Sequence, residues 1–411
     1  MKKTMHKIFS STFRALYSRN YRLFFIGQSI SLIGTWVQNV AIMWLIYSLT
    51  NSAFLMGVVM FINSLPSIIF TPFAGVLVDR VNQYKTLILL QILFGVQYFI
   101  FALLTLSGHI NIYYIILLGL GISTTMAFDM PLRQAFVIQL VDNKKDLNNA
   151  ISLNSSSFNL ARLIGPSIAG ILIALFGEGI CFLFNSLSYI PVIAALLLMK
   201  ITTETHLSNL SDDFFTAFKS GIKYASEHKS IKNILIFLTI ASFLGMSYPL
   251  LMPIFAKEIL HGDAQTLGYL MSAAGVGALA ASLQLAAKES VEGLSKWLYL
   301  GALILSFGMI SLGFIHYLYL SLFLLFFVGY GMVVIMITSN TLLQHLVDNS
   351  KRGWIMGLYT IAFISTLPLS NLAAGTMAEK IGILNTFIVF GLAMLFTGLM
   401  FRSSFIPRKS R

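Results

Sequence analysis

The chain has 411 residues, of which 57% are apolar and 10% are charged, and its formal net charge is +12. A soluble domain with the usual charged share would carry roughly 100 charged side chains at this length, whereas this chain carries 27 basic and 15 acidic residues. This apolar excess excludes a disordered chain, a disulfide scaffold and an ordinary cytosolic enzyme, and it predicts a protein that crosses the bilayer many times. Cys181 is the only cysteine, so no intrachain disulfide is possible, and we expect neither a metal site nor a cofactor.

Twelve apolar runs are long enough to cross a membrane, because about 20 helical residues span the hydrocarbon core. They predict an all-α membrane protein with twelve transmembrane helices, here called spans 1 to 12. The fourth run is interrupted by Asp129, Pro131 and Arg133. The spans are predicted at residues 22–48, 54–78, 86–106, 111–138, 147–176, 180–200, 233–257, 264–287, 297–315, 317–342, 352–378 and 382–402.

Basic residues gather on one side of the predicted spans. When the N-terminus is placed in the cytoplasm, all but three of the 27 Lys and Arg residues fall on the cytoplasmic side. The exceptions are Lys257 and Lys380 on the outer side and Arg162 within span 5. Because cytoplasmic loops retain positive charge, we expect both termini in the cytoplasm and the protein in the inner membrane of a bacterium. The positive charge is thus interpreted as a topology signal, and we expect no nucleic-acid partner.

A long hydrophilic segment divides the chain near its middle. We predict an N-terminal six-helix bundle at residues 1–200, a cytoplasmic linker at 201–232 and a C-terminal six-helix bundle at 233–411. The linker fits either an amphipathic helix on the inner leaflet or a solvated connection. The tetrapeptide Leu-Val-Asp-Asn at 140–143 recurs at 346–349, after the fourth span of each half. Duplicated halves around a substrate site near the midplane are a recurring transporter plan.

The loop after span 2 carries a recognisable pattern. It contains Gly75, Asp79, Arg80 and Lys85. This pattern resembles the G-x-L-x-D-R-x-G-R-K signature of the major facilitator superfamily, in which the loop latches the outward-open state. Asn82 and Gln83 stand where the signature has Gly and Arg, so Arg80 or Lys85 is expected to contact Asp129 instead. The alternative is a short charged turn that only fixes topology.

Span 5 contains a second motif of small residues around a proline. Gly165, Pro166 and Gly170 resemble the glycine–proline signature of exporters in the same superfamily. Small residues allow close helix contact, and proline permits a kink. Ordinary packing of membrane helices is the alternative interpretation.

A finer resemblance extends over the whole chain. Residues 19–28, 34–38 and 147–154 are similar to the branch of bacterial enterobactin exporters and macrolide efflux proteins. This resemblance implies export of a small, bulky organic molecule without an ATP site, and we expect proton coupling. An importer of a siderophore or other solute on the same scaffold, or a lipid flippase, is the alternative. Scattered histidines and the absence of hydrolase motifs argue against an enzyme.

Ionisable residues inside spans are costly, so their retention indicates function. Arg162 either lines the cavity and meets an anionic substrate or lipid, or caps helix carbonyls. Asp129 and Arg133 lie four residues apart on one helical face. They form either an ion pair at the cytoplasmic gate or a site where Asp129 takes up and releases a proton.

The resemblance also implies which residues contact the substrate, because spans 1, 4, 7 and 10 face the cavity in the superfamily. Together with Arg162, the expected contacts are Trp36, Gln38, Met126, Met246, Tyr248 and Asn340. We expect a monomer whose partners are a small-molecule substrate and the lipid bilayer.

Overall fold

The computed structural model describes residues 13–78, 81–200, 214–288, 291–348 and 351–405. Within these ranges the chain is almost entirely helical and contains no strand. Twelve helices in this part are long and apolar enough to cross a membrane, which confirms the predicted all-α membrane fold. The predictions for both termini, for Asp79 and Arg80 and for residues 201–213 of the linker lie outside the described residues.

The first half of the chain forms one helix for each span. These helices are α1 (Arg19–Thr50), α2 (Ala53–Val78), α3 (Gln83–Leu106), α4 (Ile112–Gln139), α5 (Leu147–Phe176) and α6 (Glu178–Leu198). Helix α4 is continuous although Pro131 lies within it. The charged interruption of the fourth apolar run therefore does not end the helix.

The second half is less regular. It contains α7 (Phe214–Glu227), α8 (Lys229–Gly245), α9 (Tyr248–Ile254), α10 (Ala264–Ala286), α11 (Leu294–Leu312), α12 (Leu318–Leu346), α13 (Arg352–Ile364), α14 (Thr366–Ile381) and α15 (Ile383–Phe405). Helix α7 lies in the predicted linker. A π-helical turn at Phe255–Ile259 follows α9.

Spans 7 and 11 are each broken into two helices, which the apolar runs did not reveal. Span 7 is divided between α8 and α9, and span 11 between α13 and α14. Proline removes a backbone donor, and its ring clashes with the carbonyl four residues earlier. Helix α8 ends at Gly245, four residues before Pro249, and α13 ends at Ile364, four residues before Pro368. Each break therefore lies at the residue whose carbonyl the proline ring would meet.

Close contacts divide the chain into two units. The first contains Met1–Leu45 and Asn63–Asn209, and the second contains Ile46–Ile62 and Leu210–Arg411. The end of α1 and the beginning of α2 thus group with the second half of the chain, although both helices belong to the first half in sequence. The expected separation into two six-helix bundles at residues 1–200 and 233–411 stays a prediction.

In the first unit, α3 packs along α6. Phe94 lies 5.4 Å and Tyr98 lies 6.0 Å from Tyr189, measured between ring centroids, and all three rings are stacked. The ring centroids of Phe101 and Phe182 lie 4.2 Å apart, one turn further along α3. Aromatic packing of this kind stabilises a fold by more than its buried area alone would, so it fixes the relative position of the two helices.

Helices α1 and α5 of the first unit also approach closely. The Tyr21 hydroxyl donates a hydrogen bond to the Ala150 carbonyl at 2.8 Å. Further along, a Cβ built on Gly165 would lie only 2.4 Å from the Cβ of Trp36. A side chain at position 165 would therefore displace Trp36, and the glycine is what allows the two helices to meet there.

In the second unit, α12 packs against both α10 and α11, and α11 packs against α15. The pairing of span 9 with span 12 corresponds to the pairing of span 3 with span 6 in the first unit, which supports the internal repeat seen in the sequence. Glycines allow the closest approach: a Cβ on Gly329 would lie 2.0 Å from the Ala274 carbonyl oxygen, and one on Gly277 would lie 1.9 Å from that of Phe326.

We predict that Gly329→Ala destabilises the protein because the added methyl group meets backbone atoms that cannot move aside. Overpacking of this kind costs about 1–3 kcal/mol. Gly357→Ala in α13 is the matched control, because no atom lies within 4 Å of its Cβ position, and alanine favours a helix over glycine. Thermal unfolding in detergent measures both. A loss of stability in Gly357→Ala, or none in Gly329→Ala, would contradict the packing described for α10 and α12.

Candidate functional site

A row of polar side chains runs along one face of α5. Its members, three or four residues apart, are Ser152, Ser155, Ser156, Asn159 and Arg162. Each of the first four donates to the carbonyl four residues earlier at 2.8–3.0 Å, while the side chain stays exposed or half-exposed. A polar row of this kind is unfavourable against hydrocarbon, so this face fits a water-filled path. We define these five residues as the polar face of α5.

Arg162 ends this polar face at membrane depth. It lies 15 residues after Leu147, the first residue of α5, which corresponds to about 22 Å along the helix. Its guanidinium carbon lies 5.8 Å from the centroid of the Trp36 ring, and Phe158 meets the same ring edge-on at 5.6 Å. Arg162 thus stands over an aromatic surface, in cation–π geometry.

The guanidinium of Arg162 has no counter-ion among the described residues. The two ion pairs in the described part of the chain are Arg14 with Asp146 and Arg133 with Asp129. No hydrogen bond from Arg162 to a helix carbonyl is found in the same part. Arg162 thus caps no helix carbonyl among the described residues, and its place in the substrate cavity stays a prediction.

Asp129 is the opposite case, because its carboxylate is fully engaged. The residue is 3% exposed. Its Oδ2 accepts hydrogen bonds from Arg133 Nε at 3.0 Å and Nη2 at 2.5 Å, and its Oδ1 accepts one from Gln91 Nε2 at 2.6 Å. The charged pair on α4 is thereby tied to α3 inside the first unit.

These contacts bear on one of the two alternatives for the loop motif, in which Lys85 rather than Arg80 contacts Asp129. Lys85 does not contact Asp129: both carboxylate oxygens are occupied by Gln91 and Arg133, and Lys85 is exposed at the start of α3. Its backbone N–H donates to the Asn82 side chain at 3.0 Å and caps that helix. Arg80 and Asp79 lie outside the described residues, so the rest of the loop prediction stays a prediction.

The remaining predicted substrate contacts in the first unit differ in accessibility. Met126 is 45% exposed on α4. Gln38 is only 6% exposed, and its side-chain amide donates a hydrogen bond to the Asn39 side chain. Gln38 is therefore buried in this structure, and its contact with substrate stays a prediction. Of the exporter motif, Gly165, Pro166 and Gly170 are all buried within α5.

The other predicted contacts belong to the second unit. Met246 lies half-buried at the end of α8, and Tyr248 begins α9 with 4% of its surface exposed. Asn340 on α12 accepts a hydrogen bond from Gln344 at 2.6 Å. Their participation in one cavity with Trp36 and Arg162 stays a prediction.

A further polar cluster in the second unit was not expected from the sequence. Tyr47 donates a hydrogen bond to Glu258, and Lys257 donates one to Asn51 at 2.9 Å while lying 5.4 Å from the Tyr47 ring. Glu379 accepts hydrogen bonds from the Ser52 hydroxyl and the Phe54 N–H at 3.1 and 3.2 Å. The sequence offers one signal for this cluster: its charged members are among the few on the predicted outer side.

Comparisons with known proteins agree with this architecture. The chain matches the family described as "transmembrane secretion effector" over residues 10–411. It is 24% identical to the staphyloferrin A transporter of Staphylococcus aureus, over 94% of this chain and 96% of that protein. It is 20% identical to macrolide efflux protein A of Streptococcus pyogenes, over 89% and 91% of the two chains.

Among solved structures, a bacterial homologue of the human lysosomal transporter Spinster is similar with a TM-score of 0.74. The two chains are 12% identical, and the similarity covers 94% of this chain and 97% of the other. At this identity the likeness establishes the fold alone.

The family match spans almost the whole chain, and the relatives are transporters rather than enzymes. The expected resemblance to the major facilitator superfamily and its efflux branch is therefore confirmed. Together with its twelve apolar helices, these matches establish that the chain belongs to the transmembrane secretion effector family and is a multi-pass membrane transporter of small molecules.

Proposed function

We propose that this transporter exports a small, bulky organic molecule with a negative charge, siderophore-like or drug-like, across the cytoplasmic membrane by alternating access. The observation that carries the proposal is the guanidinium of Arg162, which stands over Trp36 at membrane depth without a counter-ion among the described residues. A charge in that position costs about 2.5–3.5 kcal/mol on insertion scales. A substrate carboxylate or similar anion would offset that cost when it binds.

The surroundings of Arg162 also favour a bulky organic body over a small inorganic ion. The ring of Trp36 and the half-exposed ring of Phe158 meet edge-on beside the guanidinium. Aromatic surfaces bind large apolar or conjugated groups through area and stacking. The names of the relatives, a staphyloferrin A transporter and a macrolide efflux protein, support the same size class of substrate.

The direction of transport is inferred from the polar face of α5. This face begins at Ser152, near the end of α5 that the charge pattern places in the cytoplasm, and continues to Arg162. It would guide a charged molecule from the cytoplasm to the membrane interior. The macrolide efflux relative supports the same direction.

We further propose that proton coupling acts through the Asp129–Arg133 pair. Protonation of Asp129 would remove the charge that holds Arg133 and would weaken its acceptance of the hydrogen bond from Gln91. Because Gln91 lies on α3 and the ion pair on α4, the packing of these two helices would then depend on the protonation state. A titratable group that controls helix packing is what coupled transport requires.

We predict that Arg162→Gln raises the KM for substrate roughly 10- to 100-fold, because a hydrogen bond to a charged group contributes about 1.5–3 kcal/mol. Labelled staphyloferrin A, which carries carboxylates, serves as the probe in inverted membrane vesicles, where an exporter accumulates its substrate. Arg162→Lys keeps the charge but loses the planar guanidinium, so an intermediate effect is expected.

Membrane insertion and thermal stability of both variants serve as controls for folding. An unchanged KM in Arg162→Gln would remove Arg162 from the substrate site. Accumulation of the probe in right-side-out vesicles would overturn export in favour of import. Failure of the unaltered protein to transport staphyloferrin A would contradict the proposed substrate class.

We predict that Asp129→Asn makes transport independent of the pH gradient, because the variant cannot exchange a proton at that position. Since Arg133 then loses its counter-ion, the double variant Asp129→Asn/Arg133→Gln is tested beside it. Gln91→Leu tests the link to α3: it leaves the carboxyl group but removes the hydrogen bond that joins α3 to the pair on α4, so the response to the gradient should weaken. Transport is measured in proteoliposomes with and without an imposed pH gradient.

A gradient dependence that survives in both Asp129 variants would assign the proton to another group, with Glu258 beside Tyr47 the next to test. An unaltered protein that ignores the gradient would contradict proton coupling but leave the export proposal intact.

A further inference from the structure

Helix α7 is docked onto the second unit. A Cβ on Gly221 would lie 3.2 Å from the Cβ of Trp354 on α13. The Tyr224 hydroxyl donates a hydrogen bond to Asp348 at 3.1 Å, and the Tyr224 ring stacks on His228 at 4.2 Å between centroids. The described end of the linker is therefore a packed helix with a defined position.

An apolar groove lies between α7 and the two spans beside it. It has a volume of about 510 Å³ and is bounded by α7, α8, α13 and α14. Ile222 on α7 and Leu369 on α14 are 48% and 53% exposed at its edges, while Leu235 is buried in its wall. We call this space, with Ile222, Leu235, Leu358, Ile361 and Leu369 among its lining residues, the α7 groove.

The two threonines that line the α7 groove do not make it polar. Thr239 donates its hydrogen bond to the Leu235 carbonyl at 2.8 Å, and Thr366 donates to the Ala362 carbonyl at 3.2 Å. With their donors satisfied within their own helices, these side chains offer mainly methyl groups to the groove. Leu358 and Leu369 are separated by 11 positions along span 11, roughly 16 Å if helical. The groove therefore has the length and chemistry for a lipid acyl chain.

Four lysines lie on α7 and at the start of α8, and one of them lines the groove. Lys232 lines it directly, and Lys219, Lys223 and Lys229 are exposed on α7 and at the start of α8. None of the four has an ion pair within the described ranges, where Glu227 is the only acidic residue between 214 and 232. The charge pattern places this end at the cytoplasmic surface. An apolar groove thus opens toward a local excess of positive charge at headgroup depth.

We propose that the α7 groove binds an anionic phospholipid of the phosphatidylglycerol type from the cytoplasmic leaflet. One acyl chain would lie along Leu358, Ile361 and Leu369, and the headgroup phosphate would meet Lys232 and Lys223. A zwitterionic lipid fills the groove equally well but leaves the lysines without a net counter-charge. Each basic residue near a membrane surface raises the affinity for an anionic lipid roughly fivefold. The site is separate from the proposed substrate path along α5.

The experiment uses Trp354 as the reporter, because it packs directly under Gly221. In a full-length protein with the other three tryptophans replaced by Phe, dibrominated phosphatidylglycerol and dibrominated phosphatidylcholine are titrated separately into phosphatidylcholine vesicles. Bromine quenches tryptophan fluorescence at short range. We expect phosphatidylglycerol to quench Trp354 at a mole fraction at least tenfold lower, with the difference reduced at high salt.

Two variants test the parts of the site separately. The double variant Lys223→Gln/Lys232→Gln should lose most of the preference for phosphatidylglycerol. The control Lys145→Gln/Lys296→Gln removes the same charge from two exposed lysines on the same predicted side of the membrane, and it should keep the preference. Ala362→Phe should fill the groove and reduce quenching by both lipids. Thermal unfolding of each variant verifies folding.

Equal quenching of Trp354 by the two lipids would overturn the proposal, as would a preference that survives Lys223→Gln/Lys232→Gln. Undiminished quenching in Ala362→Phe would place the bound lipid outside the groove and would also overturn it. None of these outcomes depends on transport activity, so the lipid site and the proposed export function fail or succeed independently.

Discussion

Every polar group placed in hydrocarbon must find a partner, and the ionisable residues inside the spans of this transporter meet that constraint in two different ways. Asp129 meets the constraint internally, since Arg133 and Gln91 engage both of its oxygens. Arg162 does not meet it within the described residues and is left facing Trp36. Both are ionisable residues inside spans, and only their contacts distinguish a carboxylate paired within the protein from a guanidinium without a counter-ion among the described residues.

The fold was largely predictable from the sequence because membrane spans are defined by composition. An apolar run of about 20 residues has few alternatives to a helix in a bilayer, and span 5 was predicted with the same bounds as α5. The breaks in spans 7 and 11 were missed because hydropathy does not register a lost hydrogen bond. Pro249 and Pro368 carried that information, yet Pro131 and Pro166 lie within continuous helices, so proline alone does not decide where a span breaks.

The candidate site was predictable only in part, for a related reason. Arg162, Asp129 and Arg133 stand out in sequence because a charge inside an apolar run is rare. The partner of a polar residue is a different matter, because it is set by packing between helices far apart in the chain. Tyr47 and Glu258 are 211 positions apart, and no local pattern joins them. For the same reason Arg80 or Lys85 was expected beside Asp129, while the partner found on α3 is Gln91, a residue that the sequence analysis did not single out.

The exporter motif and the proposed substrate site are one packing arrangement in this protein. Gly165 allows α5 to approach α1 closely. The space that a side chain at position 165 would need is occupied by the Cβ of Trp36. Arg162 lies three residues before that contact on the same helix, and its guanidinium reaches back over the Trp36 ring. A larger residue at position 165 would push Trp36 away and separate the ring from the cation. Under the proposed function, the glycine would act on substrate binding through Trp36, because the small residue of the motif and the cation over an aromatic ring depend on the same helix contact.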